Sequence, residues 1–431
     1  MKVVLINPPQ TNCLDDHLDP PLGLMYIASS LEKNKIDVSI CDLSSKLSEE
    51  WPTLIEEADI YGMTLFSASF NSAREISRII KKRDKKSLVV AGGPHAASLP
   101  EETVSCKEFD SVIVGEGEFE FPKLVEDFSS KRTIPKIIRA KPILDLDILP
   151  FPARNLVDLL DYHREVEGKK VTSMVTSRGC PYNCNFCCKD VHGRNIRFRS
   201  VENVVREVKE VIGHYGVESF IFYDDIFTLM RERLYKLCGG LKELGITFRC
   251  NGRADTNTLE DYIKLKEAGC EEIAFGIESG SQKMLNRINK GTTVKNNFEA
   301  ITLAKQAGLI TKAYLVVGFP GESQETVDET KEFMDRANPD KYTVFAFVPL
   351  PGCNVWENPG KYGIVEISRD WDQFFNLAGN YEGGYSFRTN ELNPSTIKPL
   401  HDDLVSFLLS RKENYGQMGK LQPYYQKLKK E

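Results

Sequence analysis

The strongest constraint on this chain is an alternation of short apolar runs with helically spaced segments, which occurs twice along its length. The first set of runs is Val3–Ile6, Val38–Cys41, Ile60–Phe66, Leu88–Ala91 and Val112–Val114. Between them, Leu22–Leu31, Ala73–Ile80 and Phe121–Phe128 carry helical spacing. Apolar strands separated by helices imply a parallel sheet covered on both faces. The alternation resumes at Val171–Thr176, Phe220–Tyr223, Thr247–Cys250, Ile273–Ile277, Lys312–Val317 and Thr343–Val348. Both halves read as α/β, where ligands are expected beyond the carboxyl ends of the strands.

A single core stops growing at roughly 250–300 residues, and this chain has 431. The expected division is a first domain over 1–130, a proline-rich linker over 131–165, a second domain over 166–352 and a C-terminal cap region over 353–431. Pro135, Pro142, Pro150 and Pro152 stiffen the linker and remove backbone donors. In the cap region, Trp356, Trp371, Phe374, Phe375, Tyr381, Tyr385 and Phe387 read as core. Ile397–Leu409 reads as a helix that closes the barrel mouth.

Composition excludes several classes. With 41% hydrophobic and 27% charged residues the chain is an ordinary globular one, and no apolar run approaches the ~20 residues of a membrane span. Met1–Pro9 reads as a first strand and not as a signal peptide, so a cytoplasmic location is expected. A net charge of −6, with only the short basic run Lys81–Lys86 and the tail Lys427–Lys430, argues against nucleic acid and for a small-molecule substrate. Eleven cysteines in such a chain point to metal chemistry and buried thiols, not to disulfides.

The most specific motif follows the first strand of the second half. Cys180, Cys184 and Cys187 form a C-x3-C-x2-C set, with Cys188 directly after it. A [4Fe–4S] cube normally takes four cysteines, so a loop supplying three leaves one iron open. Structural zinc wants two separated knuckles, and no second C-x2-C occurs in the sequence. Cys188 reads as a packing thiol that could still substitute for Cys187.

This spacing resembles the signature of the radical SAM superfamily, whose open iron chelates S-adenosylmethionine (SAM). The resemblance implies a partial (β/α)6 barrel and reductive cleavage of SAM to a radical that abstracts hydrogen from an unactivated carbon. It also implies an electron donor such as flavodoxin or ferredoxin. SAM contacts are expected from Phe186, from Tyr223, Asp224 and Asp225, from Asn251 and Arg253, from Glu278 and Ser279, and from the backbone near Val348. One of Asp224 and Asp225 is expected to face SAM and the other to cap the next helix. Arg253 reads equally as a SAM contact and as a rim salt bridge with Asp255.

The first half carries no G-x-G-x-x-G after its first strand. Its strand ends are instead similar to the cobalamin-binding domain of B12-type radical SAM proteins, a flavodoxin-like Rossmann domain. That resemblance implies contacts to cobalamin from Thr64, Ser67, Gly93, Pro94, Gly115, Glu116 and Glu118. The family's cobalt-ligating D-x-H-x-x-G is only half matched by Asp15-Asp16-His17-Leu18-Asp19-Pro20, so His17 reads as a loop residue. The expected function is cobalamin-dependent methyl transfer to a small molecule. The alternative is dehydration, epimerisation or rearrangement of a sugar-like metabolite with the first domain empty.

Overall fold

The computed structural model describes residues 1–10, 13, 15–374 and 386–411; Phe375, Tyr381, Tyr385 and the basic tail lie outside them. The first domain contains β1 (Lys2–Asn7), α1 (Leu22–Lys33), β2 (Asp37–Asp42), β3 (Ile60–Thr64), α2 (Phe70–Arg83), β4 (Leu88–Gly92), β5 (Ser111–Val114), α3 (Glu120–Ser129) and β6 (Ile137–Arg139). Its six strands run parallel in the order β2-β1-β3-β4-β5-β6. This is the flavodoxin-like order with one added edge strand. The sheet is apolar on both sides because helices cover both: Leu24, Ala28 and Leu31 of α1 with Leu124 of α3 on one, Phe70, Ala73 and Ile76 of α2 on the other.

β6 was not expected. It is three residues long, half-exposed, and lies two residues beyond Pro135, so its pattern is that of a linker. Only its pairing with Val112–Val114 makes it a strand.

The second domain contains β7 (Thr172–Met174), α4 (Val201–Tyr215), β8 (Ser219–Phe222), α5 (Arg231–Lys242), β9 (Thr247–Gly252), α6 (Leu259–Glu267), β10 (Cys270–Glu278), α7 (Val294–Gln306), β11 (Ile310–Val317), α8 (Gln324–Ala337) and β12 (Lys341–Ala346). Its strands are parallel in the order β12-β11-β10-β9-β8-β7, an open (β/α)6 barrel. Local signals place its helices. Ser200 caps α4 and Gly216 ends it in the left-handed region, while Ser323 and Thr326 form a capping box on α8.

The C-terminal region splits its packing. Trp371 and Phe374 enter the core of the first domain beside Phe70, while Phe387 joins the barrel core, so these aromatics are core residues as expected. The last described helix, α9 (Pro394–Ser410), packs against α8 and β11. Ile397 lies against Gly318 and Lys331 of α8 pairs with Asp403. The helix therefore extends the outer coat of the barrel instead of lying across its mouth. Among the described residues no helix is long and apolar enough to cross a membrane.

The connector between the domains is held by buried charge. Arg154 pairs with Glu207 of α4 at 2.6 Å, and Arg199 pairs with the other oxygen at 2.5 Å. Three such groups are tolerated together because each charge has a partner.

Candidate active site

The cysteine loop leaves β7 and returns through a short antiparallel pair, Ser177–Arg178 with Arg197–Phe198. Gly179 sits at φ 89°, and a Cβ there would lie 2.7 Å from the Asn195 carbonyl, so only glycine closes this hairpin. Asp224, at the end of β8, anchors the loop's start. Its carboxylate accepts from the Thr176 amide at 2.6 Å, from the Thr176 hydroxyl at 2.5 Å and from the Ser177 hydroxyl at 2.7 Å. Burial pushes its pKa up, against those bonds. On the far side of the loop, Asn185 donates to the Ile288 and Arg287 carbonyls, and Asn289 donates to the Asn183 carbonyl at 2.7 Å.

Within this frame Cys180 is buried, and Cys184 and Cys187 are half-buried. The Lys189 ammonium lies beside Cys187 and 3.4 Å from Asp225; although burial opposes its charge, the thiol and carboxylate together raise its pKa. Among the described residues no three His, Cys, Asp or Glu side chains lie close enough to share one metal ion. A cube presents its irons over a wider body than a single ion does. Three thiols on one loop, with a cation to offset thiolate charge, fit a [4Fe–4S] cluster.

The same loop docks on the first domain. Arg178 reaches Glu116 at 2.9 Å and Glu118 at 2.6 Å, and all three are buried. Glu116 also takes Arg197 at 2.6 Å, His192 at 3.2 Å and the Ile143 amide at 2.7 Å. Burial alone would raise its pKa, but those donors outweigh it and hold the carboxyl well below its ordinary range. The Gly-Glu-Gly-Glu turn thus grips the cysteine loop. Glu116 and Glu118, expected at cobalamin, have their carboxylates committed to arginine.

Other expected contacts divide similarly. The Ser279 hydroxyl is buried against the Thr330 hydroxyl at 3.1 Å, and Val348 packs into the first domain's core with its carbonyl taken by the Leu350 amide. Arg253 forms the rim salt bridge with Asp255 at 2.7 Å and lies 3.6 Å over the Tyr182 ring. α5 is preceded by Met230 with no side-chain cap, so neither Asp224 nor Asp225 caps that helix; Asp224 is required at Thr176 and Ser177 instead.

Glu278 is different. It ends β10 at φ 63°, at a register shift against β11, and its carboxylate meets Lys290 at 2.7 Å. Backbone held in the left-handed region by a non-glycine residue is a mark of a site whose surroundings over-determine it. Asn251, next to last in β9, donates to the Asp224 carbonyl at 3.3 Å. The Tyr223 ring is partly exposed, with its hydroxyl donating to Asp19 of the first domain at 2.8 Å. Phe186 packs on the edge of the barrel core.

At the carboxyl edge of the first sheet, Gly93 takes φ 87°, and a Cβ there would lie 2.8 Å from the Leu65 amide and the Thr64 hydroxyl. Pro94 opens the short helix after it, and the Ser67 hydroxyl meets His95 at 3.0 Å. Gly115 is also left-handed, with no atom nearer than 3.5 Å to its absent Cβ. Phe66, at the same edge, remains 43% exposed. Small residues with an uncovered aromatic at strand ends fit a broad planar group such as a corrin. His17 is engaged elsewhere, at 2.6 Å from Ser44 and 3.1 Å from Asp161, and stacked on Tyr162.

Comparison with known proteins agrees. The model of the radical SAM superfamily matches residues 174–334, and that of the B12 binding domain matches residues 17–125. An uncharacterised methyltransferase of Pyrococcus horikoshii is 32% identical over 402 residues, covering 87% of this chain and 86% of that protein. Cytidylyl-2-hydroxyethylphosphonate methyltransferase of Streptomyces wedmorensis is 26% identical over 445 residues, covering 85% and 83%. The structure of TsrM, a radical S-adenosylmethionine methyltransferase from Kitasatospora setae with cobalamin and a [4Fe–4S] cluster bound, shares the fold. Its TM-score is 0.66 at 18% identity, over 85% of this chain and 76% of that one. The chain belongs to the radical SAM enzymes with an N-terminal B12-binding domain. A [4Fe–4S] cluster, SAM and cobalamin are the cofactors of that family.

Proposed function

We propose that this enzyme transfers a methyl group to a carbon atom of a small molecule, using cobalamin at the first domain and SAM at the cysteine loop. The cluster would be held by Cys180, Cys184 and Cys187, and the ribose of SAM by Glu278. Asn251, Phe186 and Tyr223 would line the SAM side of the opening, and Thr64, Gly93 and Gly115 the corrin side. When bound, these cofactors supply one-electron chemistry and a transferable methyl group.

The chain's own part is position. Asp224 fixes where the cysteine loop begins, Asn185 and Asn289 fix its far edge, and Glu116 and Glu118 fix its distance from the first sheet. Orientation on this scale is what rate acceleration between two bound groups requires. Lys189, paired with Asp225, would offset the thiolates' charge, and an external reductant of the flavodoxin or ferredoxin kind would supply the electron.

The observation that carries this reading is the Arg178 clamp, which joins the cluster loop directly to the strand-end turn of the B12-binding domain. Methyltransferases among the relatives, including the Pyrococcus horikoshii protein, support the reaction class. The test is an anaerobic incubation of reconstituted protein with cobalamin, reductant and methyl-labelled SAM, read by mass spectrometry. Label on the corrinoid together with 5′-deoxyadenosine is the expected result. Deoxyadenosine from protein that retains no corrinoid would reject methyl transfer.

A further inference from the structure

The inward faces of the barrel strands carry polar and charged side chains as well as apolar ones. On β11, Ala313, Leu315 and Val317 face the helices and are buried, whereas Tyr314 and Val316, of opposite parity, are half-exposed. Successive strand residues point to opposite faces, so Tyr314 and Val316 point inward, where Tyr314 meets Phe345, Arg249 and Lys312.

Toward the amino ends of the strands the interior has a charged floor. Glu272 of β10 pairs with Arg249 of β9 at 2.9 Å and with Lys341 of β12 at 2.9 Å. Glu167 is a second partner for Lys341 at 2.5 Å, and Arg164 of the connector pairs with Asp19 at 2.6 Å. The remaining cation is Lys312 of β11. It is 6% exposed, and among the described residues its ammonium has no hydrogen-bond or ion-pair partner; the Tyr314 ring centroid is 5.4 Å away.

We infer that this floor binds an anionic group, carboxylate or phosphate, of the methyl-accepting substrate, with Lys312 as its counter-ion. The inference rests on the proposed reaction for the word substrate, but the site is argued from the barrel alone. An ammonium so nearly buried, with no protein carboxylate paired to it, is costly. Burial, with Arg249, Arg164 and Lys341 facing it and only Glu272 opposing them, lowers the Lys312 pKa to about 7. An arriving anion restores the charge and takes the place that a carboxylate would hold. The Tyr314 hydroxyl, which accepts from Arg249, keeps its own proton to donate to such a ligand. An anion seated there leaves the rest of the molecule in the half-exposed part of the lumen, below Glu278 and the cysteine loop.

The test uses the full-length reconstituted protein and three probes at constant ionic strength: inorganic phosphate, acetate and uncharged glycerol. Calorimetric titration of the wild type, Lys312→Arg and Lys312→Met reads binding directly, without methyl transfer. Saturable binding of phosphate or acetate by the wild type and Lys312→Arg is expected, weakened at least tenfold in Lys312→Met, with glycerol inert. The anion that binds identifies the head group. Equal binding by all three proteins, or none by the wild type, overturns the inference. Labelled-SAM turnover of the wild type reports separately on the proposed reaction.

Discussion

Arg178 and Glu118 meet at 2.6 Å in a setting where each side chain is 6% exposed, and they come from different domains. Arg178 lies two residues before Cys180, so this contact ties the cysteine loop to the first sheet. Removing one partner of a buried pair leaves the other charge uncompensated. Arg178 would keep Glu116, so Glu118→Ala is expected to cost about 2–3 kcal/mol, read as a lower denaturant midpoint. Glu118→Gln, which keeps a hydrogen-bond acceptor, should cost less. Equal stability of Glu118→Ala and the wild type would mean the clamp is dispensable.

Cys187 and Cys188 make opposite predictions. Cys188 lies 3.3 Å from the Ser98 hydroxyl of the first domain. Cys187→Ala should lose most of its iron and sulfide on anaerobic reconstitution, while Cys188→Ala should retain both. Metal and sulfide analysis decides, and the reverse pattern would make Cys188 the third ligand.

Glu322 predicts a pH dependence of stability. Burial raises its pKa to about 7, against bonds from the Thr326 hydroxyl and the Gly318 amide. The folded state therefore binds more protons than the unfolded state between pH 4.5, the ordinary value, and about 7. Stability from this group falls as pH rises through that window and stays low above it. Glu322→Gln should stabilise the protein at pH 8 by on the order of 3 kcal/mol and change little at pH 4.5. Denaturation at the two pH values measures the difference.

His17 is expected not to ligate cobalt, because both its ring nitrogens already face Ser44 and Asp161. The EPR spectrum of bound cob(II)alamin should be the same in the wild type and in His17→Ala. Loss of a nitrogen splitting in the variant would place the histidine on the metal.

Both sheets were largely legible in the sequence because short apolar-rich runs alternate with helically spaced segments, and all six barrel strands overlap those runs. β6 was hidden, since a short half-exposed edge strand has no such pattern. The C-x3-C-x2-C spacing is explicit in the sequence. The fates of Glu116, Glu118, Asp224 and Ser279 were not, because each carboxylate or hydroxyl meets at least one partner 47 to 81 residues away. The signal that could have found the clamp is Arg178 itself, a charged residue next to a strand that must be buried and so needs an acid. Lys312 was likewise hidden, as a lysine opening an apolar run reads as a strand end.

The most direct test of the central claim is the EPR spectrum of the anaerobically reconstituted, dithionite-reduced protein with and without SAM. A [4Fe–4S]⁺ signal that changes on adding SAM, and is absent from Cys187→Ala, is the predicted result. A protein that takes up only zinc, or a cluster signal indifferent to SAM, would contradict it.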